Sequence, residues 1–276
     1  MWRRAFWALA VVVSLLMPVA VHAQESYVDA YMVKVKPEKT AEFEALTKKW
    51  VAANRDNGGD RWITTETMYG EGDVYVFTST RHSYAEIDQG NESMMAAVGK
   101  AFGQEGLGKL MQDYSSCLVW TRTELRRRRW DLSRKAPADA AAFAKLIGQS
   151  RVLRTVAVHV RNGHQMEFEA LLKDVKAAAE KLANTQPVLV SQAVEGNKGP
   201  VYYVTTFRSS LGGFDNNPTT KDILGEEAYK KFLQVNAEAV EEPVFTLYRF
   251  RADLSNPPDE IAAAAPDFWH PKPASK

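Results

Sequence analysis

Two histidines are the residues of this sequence best suited to proton transfer near neutral pH. His159 alternates with the valines at positions 156, 158 and 160, so its side chain points to the opposite face of a predicted strand. His82 directly follows a strand that ends near Arg81. We take His159 and His82 as candidate catalytic bases. The simpler interpretation is that His159 hydrogen-bonds its neighbours inside the fold and that His82 is a turn residue with no chemical role.

Five other residues are candidates for binding a ligand. Arg81 and Arg208 each follow a strand, and a planar guanidinium suits an anionic group. The alternative is a structural ion pair, because an aspartate stands seven residues after each arginine, at positions 88 and 215. Tyr75, Tyr202 and Trp62 would line an apolar pocket with a few polar tips, although large strand side chains more often fill a core.

Known catalytic and metal-binding motifs are absent from the sequence. It contains no H-E-x-x-H, C-x-x-C, G-x-S-x-G, phosphate-binding loop or G-x-G-x-x-G pattern. His159 and His164 do not have a recognised metal-ligand spacing. Cys117 is the only cysteine, which excludes an intramolecular disulfide and favours an inert, buried thiol. The sequence therefore predicts neither a metal site nor a cofactor.

The chain that carries these residues repeats itself. Glu-Phe-Glu-Ala-Leu starts at positions 42 and 167, Val-Tyr-x-x-Thr-x-x-Arg at 74 and 201, and Leu-x-Arg-x-Arg-x-Asp-Leu-Ser at 125 and 247. Three motifs in one order, at nearly one offset, indicate a duplicated and fused unit. The arginines of the last motif have a period of two, which we interpret as solvated strand-edge charges that prevent aggregation.

Each copy predicts the element order β-α-β-β-α-β. In the first copy, a strand with alternating apolar residues around Val33 precedes an amphipathic helix that contains Phe43 and Leu46. A hairpin over 62–80, a helical region over 94–114 and a final strand over 118–128 follow. This order is the ferredoxin-like unit, which leaves one face of a four-stranded antiparallel sheet bare. Two such sheets in one chain can cover each other.

The element order and the Glu-Phe-Glu-Ala-Leu motif resemble the dimeric α+β barrel superfamily. That superfamily includes antibiotic-biosynthesis monooxygenases, NIPSNAP-like proteins and chlorite dismutases. The resemblance covers residues 27–255 and implies an α+β fold: two tandem ferredoxin-like repeats packed sheet-to-sheet as a pseudo-dimeric α+β barrel. We expect repeat 1 at 27–133, a bridging linker with a short helix at 134–153, and repeat 2 at 154–255. Residues 256–276 form a Pro-rich tail that either wraps the barrel or is disordered.

The first 23 residues are typical of a signal peptide for export. Arg3 and Arg4 precede the apolar stretch 5–17, which is shorter than the roughly 20 residues that span a bilayer. Removing these two arginines from the 35 basic residues leaves 33 against 34 acidic ones, which gives no reason to expect a nucleic-acid partner. The sequence predicts a periplasmic or secreted protein with no membrane span after signal removal.

Four functions remain open from the sequence. The first, which we favour, is binding of a small apolar or aromatic ligand in the α+β barrel. The resemblance adds two more: a cofactor-independent monooxygenase with His159 or His82 as base, and a haem-binding protein with an axial histidine. The fourth is a structural or assembly role without a ligand. Fold alone does not choose among them, and the sequence leaves oligomerisation beyond the intramolecular pseudo-dimer undecided.

Overall fold

The protein folds as an α+β barrel of eight antiparallel strands. The computed structural model describes residues 26–215 and 217–270, so the predicted signal peptide and the end of the tail lie outside the described residues. The first half comprises β1 (Tyr27–Val35), α1 (Thr40–Asn57), β2 (Ile63–Tyr69), β3 (Val74–Arg81), α2 (Tyr84–Ser116) and β4 (Leu118–Arg128).

The second half has the same order of strands and helices, with its last helical region divided in two. It comprises β5 (Val152–Val160), α4 (Gln165–Ala179), β6 (Val188–Glu195), β7 (Val201–Arg208), α5 (Thr220–Leu224), α6 (Glu226–Ala239) and β8 (Val240–Phe250). Helix α3 (Ala140–Gln149) lies between the halves, and α7 (Asp259–Ala263) and α8 (Pro266–Trp269) follow them. Among the described residues, no helix combines the length and apolar character needed to cross a membrane.

Both sheets contribute their edge strands to one closed barrel. The strand order around it is β1-β3-β2-β8-β5-β7-β6-β4. The halves therefore join twice, where β2 pairs with β8 and where β4 pairs with β6. The sheets cover each other as the sequence predicts, and their edges also pair. Because the barrel is closed, no edge strand is left with unpaired backbone groups that would promote aggregation.

The second helix of the first half begins earlier than expected, and the second helical region of each half is interrupted at a glycine. Helix α2 begins at Tyr84, well before the expected Met94, because the Ser83 hydroxyl caps it by accepting from the Glu86 N–H. Gly103, with a φ of 70°, interrupts α2, and Gly225, with a φ of 76°, separates α5 from α6. Both interruptions occur in the left-handed region of backbone conformation that favours glycine.

Two cores lie outside the barrel, between each sheet and its own helices. In the first half, Val33 and Tyr75 of the sheet pack against Phe43 of α1 and Val98 of α2. The second core likewise packs strand residues of its sheet against a helix. Its buried members include Val158, Val190 and Tyr202 of the sheet and Phe168 of α4. Because strand side chains alternate, the residues between these core positions face the barrel lumen.

The duplicated motifs meet at the two joints between the halves. Arg129, just after β4, donates to both Glu169 oxygens at 2.5 and 2.8 Å, and the Tyr202 hydroxyl donates to the same carboxylate at 2.6 Å. We call this group the Arg129 cluster. In the Arg251 cluster, Arg251 and Tyr75 donate to Glu44 at 2.6 and 3.1 Å. Each cluster joins an arginine of one half to a carboxylate and a tyrosine of the other.

The interpretation of Arg129 and Arg251 as solvated strand-edge charges is therefore wrong. Their side chains are 13% and 14% exposed, and each also forms a two-point ion pair with the aspartate two residues later. The serines that end the motif complete the joints. Ser133 accepts from the Val190 N–H and Ser255 from the Thr64 N–H, which ties each motif to the opposite sheet.

The linker helix and the tail cover one end of the barrel. Trp269 of α8 is buried, and its indole N–H donates to the Gly148 carbonyl of α3 at 3.0 Å. Ile147 of α3 and Ile261 of α7 pack with Phe250 of β8 in the same cluster. The part of the tail that the structure describes, up to residue 270, is thus packed on the barrel.

We predict that Glu169→Gln destabilises the protein and reduces its sensitivity to acid. Hydrogen bonds from Arg129 are the largest cause that lowers the pKa of Glu169 from 4.5 to about 2. A depressed pKa in the folded state adds stability above the unfolded value, and this stability is lost as the pH falls from about 4.5 toward 2. The shift sets an upper bound of roughly 3 kcal/mol on the unfolding free energy at neutral pH, and solvent screening of this partly exposed pair lowers the expected loss below that bound.

Urea unfolding at a series of pH values measures this effect. Glu167→Gln is the matched control, because Glu167 lies on the same helix with a side chain 60% exposed; we expect a change within about 0.5 kcal/mol. If Glu169→Gln keeps the wild-type loss of stability between pH 4.5 and 2, the joint does not depend on this carboxylate.

Candidate functional site

A cleft of about 700 Å³ lies between the outer face of the first sheet and helices α1 and α2. Its wall is mainly aromatic and sulfur-containing, with contributions from Tyr31, Trp50, Trp62, Phe77, Met94, Met95, Met111 and Tyr114. Asp29, Asp60 and Arg81 form a polar end. We call this site the first-half cleft. An apolar cavity with a few fixed polar groups is typical of a small-molecule site.

The pairing of β1 with β3 positions both the aromatic wall and the polar end. Tyr31 lies opposite Phe77, and Asp29 lies opposite Ser79. Since Asp29 and Tyr31 are two residues apart on one strand, their side chains face the same side of the sheet, toward the helices. The register therefore places a carboxylate directly beside a pair of aromatic rings.

Arg81 organises the polar end of the first-half cleft. Its guanidinium donates to both carboxylate oxygens of Asp60, at 2.7 and 2.6 Å, and its Nε lies 3.5 Å from Asp29. Two-point pairing compensates for burying the charge of Arg81, which is 7% exposed. Burial raises the pKa of Asp29, and Arg81 opposes that shift. A carboxyl group with a raised pKa in a cleft is a candidate for proton exchange.

The ion pairs expected from the sequence have other partners. Asp88 is exposed on α2, and Arg81 pairs with Asp60 and Asp29 instead. In the part of the chain that the structure describes, Arg208 pairs with no carboxylate. It donates to two backbone carbonyls and to the Asn217 side chain, and burial lowers its pKa. The two arginines thus end corresponding strands in different electrostatic surroundings.

Of the predicted ligand-binding residues, Arg81 and Trp62 line the first-half cleft. The Trp62 indole N–H is engaged, because it donates to the Leu254 carbonyl at 2.9 Å. Tyr75 and Tyr202 belong to the Arg251 and Arg129 clusters, and neither lines the cleft. Arg208 lies in the other half, at the end of β7.

The structure places both candidate histidines away from the first-half cleft. His159 is half-buried on β5 opposite Val201, on the lumen side of the strand, and it lines neither the cleft nor the lumen cavity. His82 is exposed in the turn before α2, where its backbone N–H donates to Glu86 at 2.7 Å. Neither imidazole is positioned to act on a ligand bound in the cleft.

Sequence reasoning named Trp62 of the aromatic wall but not Tyr31 or Trp50, although a signal for these two exists. Tyr31 opposite Phe77 in the first half corresponds in register to Val156 opposite Val204 in the second. At the offset of the Glu-Phe-Glu-Ala-Leu motif, Trp50 likewise corresponds to a valine, at position 175. Comparing the apolar positions of the two copies, as well as their histidines, would have pointed to the first half.

Hydrogen-bond donors also contribute to the cleft wall, beside the carboxylates of its polar end. Burial raises the pKa of Tyr31 and of Tyr114, so both phenols keep their protons at neutral pH. The indole N–H of Trp50 is buried and has no hydrogen-bond acceptor among the described residues. An unsatisfied donor in a cavity wall is a site for an acceptor atom supplied from outside the protein.

Comparisons with known proteins identify the fold. No protein-family model matches the chain, and no curated protein matches it significantly. Among solved structures, an anthrone oxidase-like protein is 14% identical with a TM-score of 0.52, covering 84% of this chain and 94% of that one. A proposed monooxygenase from Fusobacterium nucleatum is 8% identical with a TM-score of 0.50, covering 82% and 92%.

Chlorite dismutase from Candidatus Nitrospira defluvii is a further structural neighbour, 10% identical with a TM-score of 0.45, covering 89% and 95% of the two chains. The α+β barrel is the feature that this chain shares with the first two of these proteins, whose TM-scores are 0.52 and 0.50. At such low identities the similarity establishes the fold and assigns no activity.

We predict that Gly90→Ala disturbs the polar end of the cleft. A Cβ at Gly90 would lie 2.6 Å from both terminal nitrogens of Arg81, and Asp60 holds that guanidinium in place. The added methyl must displace Arg81 from its ion pair, and we expect the free energy of unfolding to fall by about 1–3 kcal/mol.

Gly99→Ala on the same helix is the matched control. The nearest atom to its added Cβ is 3.8 Å away, in Gln104, so the better helix propensity of alanine should leave stability unchanged or raise it by up to about 1 kcal/mol. Urea unfolding of both variants measures the difference. If both variants changed the free energy of unfolding by the same amount, Arg81 would be free to move away from the added methyl group.

Proposed function

We propose that the protein binds a small, planar aromatic ligand in the first-half cleft. The observation that carries this proposal is the aromatic wall of Tyr31, Trp50 and Phe77, in the half whose counterpart has valines. Aromatic side chains bind flat rings by offset and edge-to-face contacts. The neighbouring methionines adapt to an irregular outline. A volume of about 700 Å³ is within the usual range of small-molecule pockets.

The polar groups of the cleft indicate which substituents the aromatic ligand carries. The free indole N–H of Trp50 suits a carbonyl or ether oxygen, and Asp29 suits a hydroxyl group. Arg81 is already paired with Asp60 and is a weak attraction for an anion. An aromatic ligand with one or two oxygen substituents and no net charge satisfies these groups best.

We predict that the double variant Tyr31→Val/Phe77→Val, which introduces the valines of the second half, weakens ligand binding at least about tenfold, since each aromatic contact contributes on the order of 1 kcal/mol. N-phenyl-1-naphthylamine is the probe, because its fluorescence rises in an apolar site. Val156→Ala/Val204→Ala is the control at corresponding positions of the second half. The cleft is not the site if both double variants, shown to be folded by circular dichroism, bind the probe with equal affinity.

A cofactor-independent oxygenase is the second candidate function, and Asp29 is the observation that favours it. Its raised pKa and its place beside the aromatic wall suit a base that accepts a proton from an acidic C–H of the ligand. The resulting anion would be oxidised by molecular oxygen from CH₂ to C=O. One oxygen atom enters the product and the other leaves as water.

Oxygen uptake with anthrone, measured above the spontaneous rate, tests this second function. We expect Asp29→Asn to lower the rate at least about a hundredfold, the usual effect of losing a general base, while probe binding persists. Asp88→Asn changes an exposed carboxylate of α2 and serves as control. Wild-type protein without uptake would exclude the oxygenase and leave the binding proposal standing.

A histidine-ligated haem does not fit the first-half cleft. None of the histidines in the described residues lines it, so no imidazole is available there as an axial ligand. Neither of the proposed functions uses haem.

We further propose that the chain arose by tandem duplication and that it is exported. The two sheets have the same internal strand order, and the Arg129 and Arg251 clusters correspond residue by residue, which supports duplication. An experimental structure whose halves do not superpose would contradict it. Export rests on the sequence pattern of residues 1–23, and a mature N-terminus near Gln24 in protein from its own host would support it. A NIPSNAP-like relationship stays a prediction.

A further inference from the structure

A second cavity, of about 160 Å³, occupies the barrel lumen and is separated from the first-half cleft by the first sheet. Its lining combines apolar side chains with hydroxyl groups, including Val76, Leu153, Phe207, Thr78, Thr155 and Thr205. None of the residues already assigned to ligand binding in the cleft belongs to the barrel interior. The lumen cavity is therefore a separate space with its own lining residues.

Two arginines of β4 face this cavity, and only one has a counter-charge. Arg126 donates to Glu124 at 2.9 Å, and its guanidinium lies 3.5 Å from the centre of the Tyr203 ring. Arg128 has neither an ion pair nor a side-chain hydrogen bond to any described residue. Its guanidinium lies 5.6 and 5.7 Å from the ring centres of Trp130 and Phe143.

The surroundings of Arg128 are unfavourable for an isolated cation. Burial, with a contribution from the charge of Arg126, lowers the pKa of Arg128 to about 10, so the group is still charged at neutral pH. Arg128 is half-buried, and taking a charge partly out of water without a partner costs free energy, which a bound anion would offset. An arginine is also the side chain best shaped to hold a carboxylate through two parallel hydrogen bonds.

A route from solvent reaches Arg128. Thr80, Arg128, Phe143 and Ile261 line both the lumen cavity and an open groove beneath the linker at 134–141. Arg128 thus stands where the groove meets the lumen. A ligand entering from the groove would meet the guanidinium first and the apolar lumen beyond it.

We propose that the lumen is a second binding site, for a small monocarboxylate whose apolar body is no larger than about one aromatic ring. Its carboxylate would pair with Arg128 and its body would fill the lumen among the apolar and hydroxyl-bearing side chains. The size limit follows from the volume, because a protein cavity of about 150 Å³ accommodates benzene. This site is independent of the function proposed for the cleft.

Isothermal titration with benzoate tests the proposal, with benzamide as the uncharged analogue of the same shape. We expect one benzoate per chain and at least tenfold weaker binding of benzamide. Arg128→Gln should weaken benzoate at least tenfold, and Arg128→Lys should weaken it less. Arg122→Gln is the matched control. It removes one charge from the same face of β4, but Arg122 is 47% exposed and does not line the cavity.

Thermal unfolding without benzoate gives an independent measure. Because Arg128 is uncompensated, Arg128→Gln should unfold at a temperature at least as high as wild type, which also shows that the variant is folded. Tyr31→Val/Phe77→Val should retain benzoate binding, which separates this site from the cleft. The proposal fails if benzoate does not bind, if benzamide binds equally well, or if Arg128→Gln and Arg122→Gln bind benzoate alike.

Discussion

Each four-stranded sheet of this protein has two outer strands whose free backbone groups are paired only by the other half of the chain. Strands β2 and β4 of the first half pair with β8 and β6 of the second. Unpaired edges expose hydrogen-bonding groups that promote aggregation, and burying them without partners is costly. The two halves therefore have to pair their outer strands and close the barrel, and the rest of the molecule stabilises that closure.

The duplicated sequence motifs meet that requirement at both joints. Arg129 and Arg251 each link the end of one half to a helix carboxylate and a strand tyrosine of the other. Losing one member of such a half-buried group leaves a charge without its partner, so the whole group is needed. The arginines, glutamates and tyrosines of these two clusters thus recur because they close the barrel, whereas the aromatic residues of the first-half cleft differ between the halves and are available for binding.

Buried and half-buried arginines occur in three environments, which separate structural from functional roles in this fold. Arg129 and Arg251 are surrounded by carboxylates and hold the joints together. Arg81 is satisfied by Asp60, and its role at the cleft is to fix the position of a carboxylate rather than to attract an anion. Arg128 has no counter-charge among the described residues, and only such an arginine has its full capacity left for a ligand.

The sequence by itself determined the elements and their order, because alternation, helical periodicity and recurrence of motifs are local properties that each segment carries. The final strand of the first half was predicted with its observed bounds, Leu118–Arg128. The sequence also drew attention to Arg81 and Trp62, which line the cleft, and their role in ligand binding stays a prediction.

Only the tertiary structure decided which distant residues meet. Asp60 rather than Asp88 pairs with Arg81, and Glu169 pairs with Arg129, since strand register and helix packing bring together groups far apart in the chain. The lumen exists because the two sheets close into one barrel, and the first-half cleft exists because α1 and α2 pack on the outer face of the first sheet. These arrangements depend on contacts between distant segments, which no local sequence pattern encodes. The sequence patterns therefore pointed to the histidines, whereas the structure pointed to Tyr31, Phe77 and Asp29.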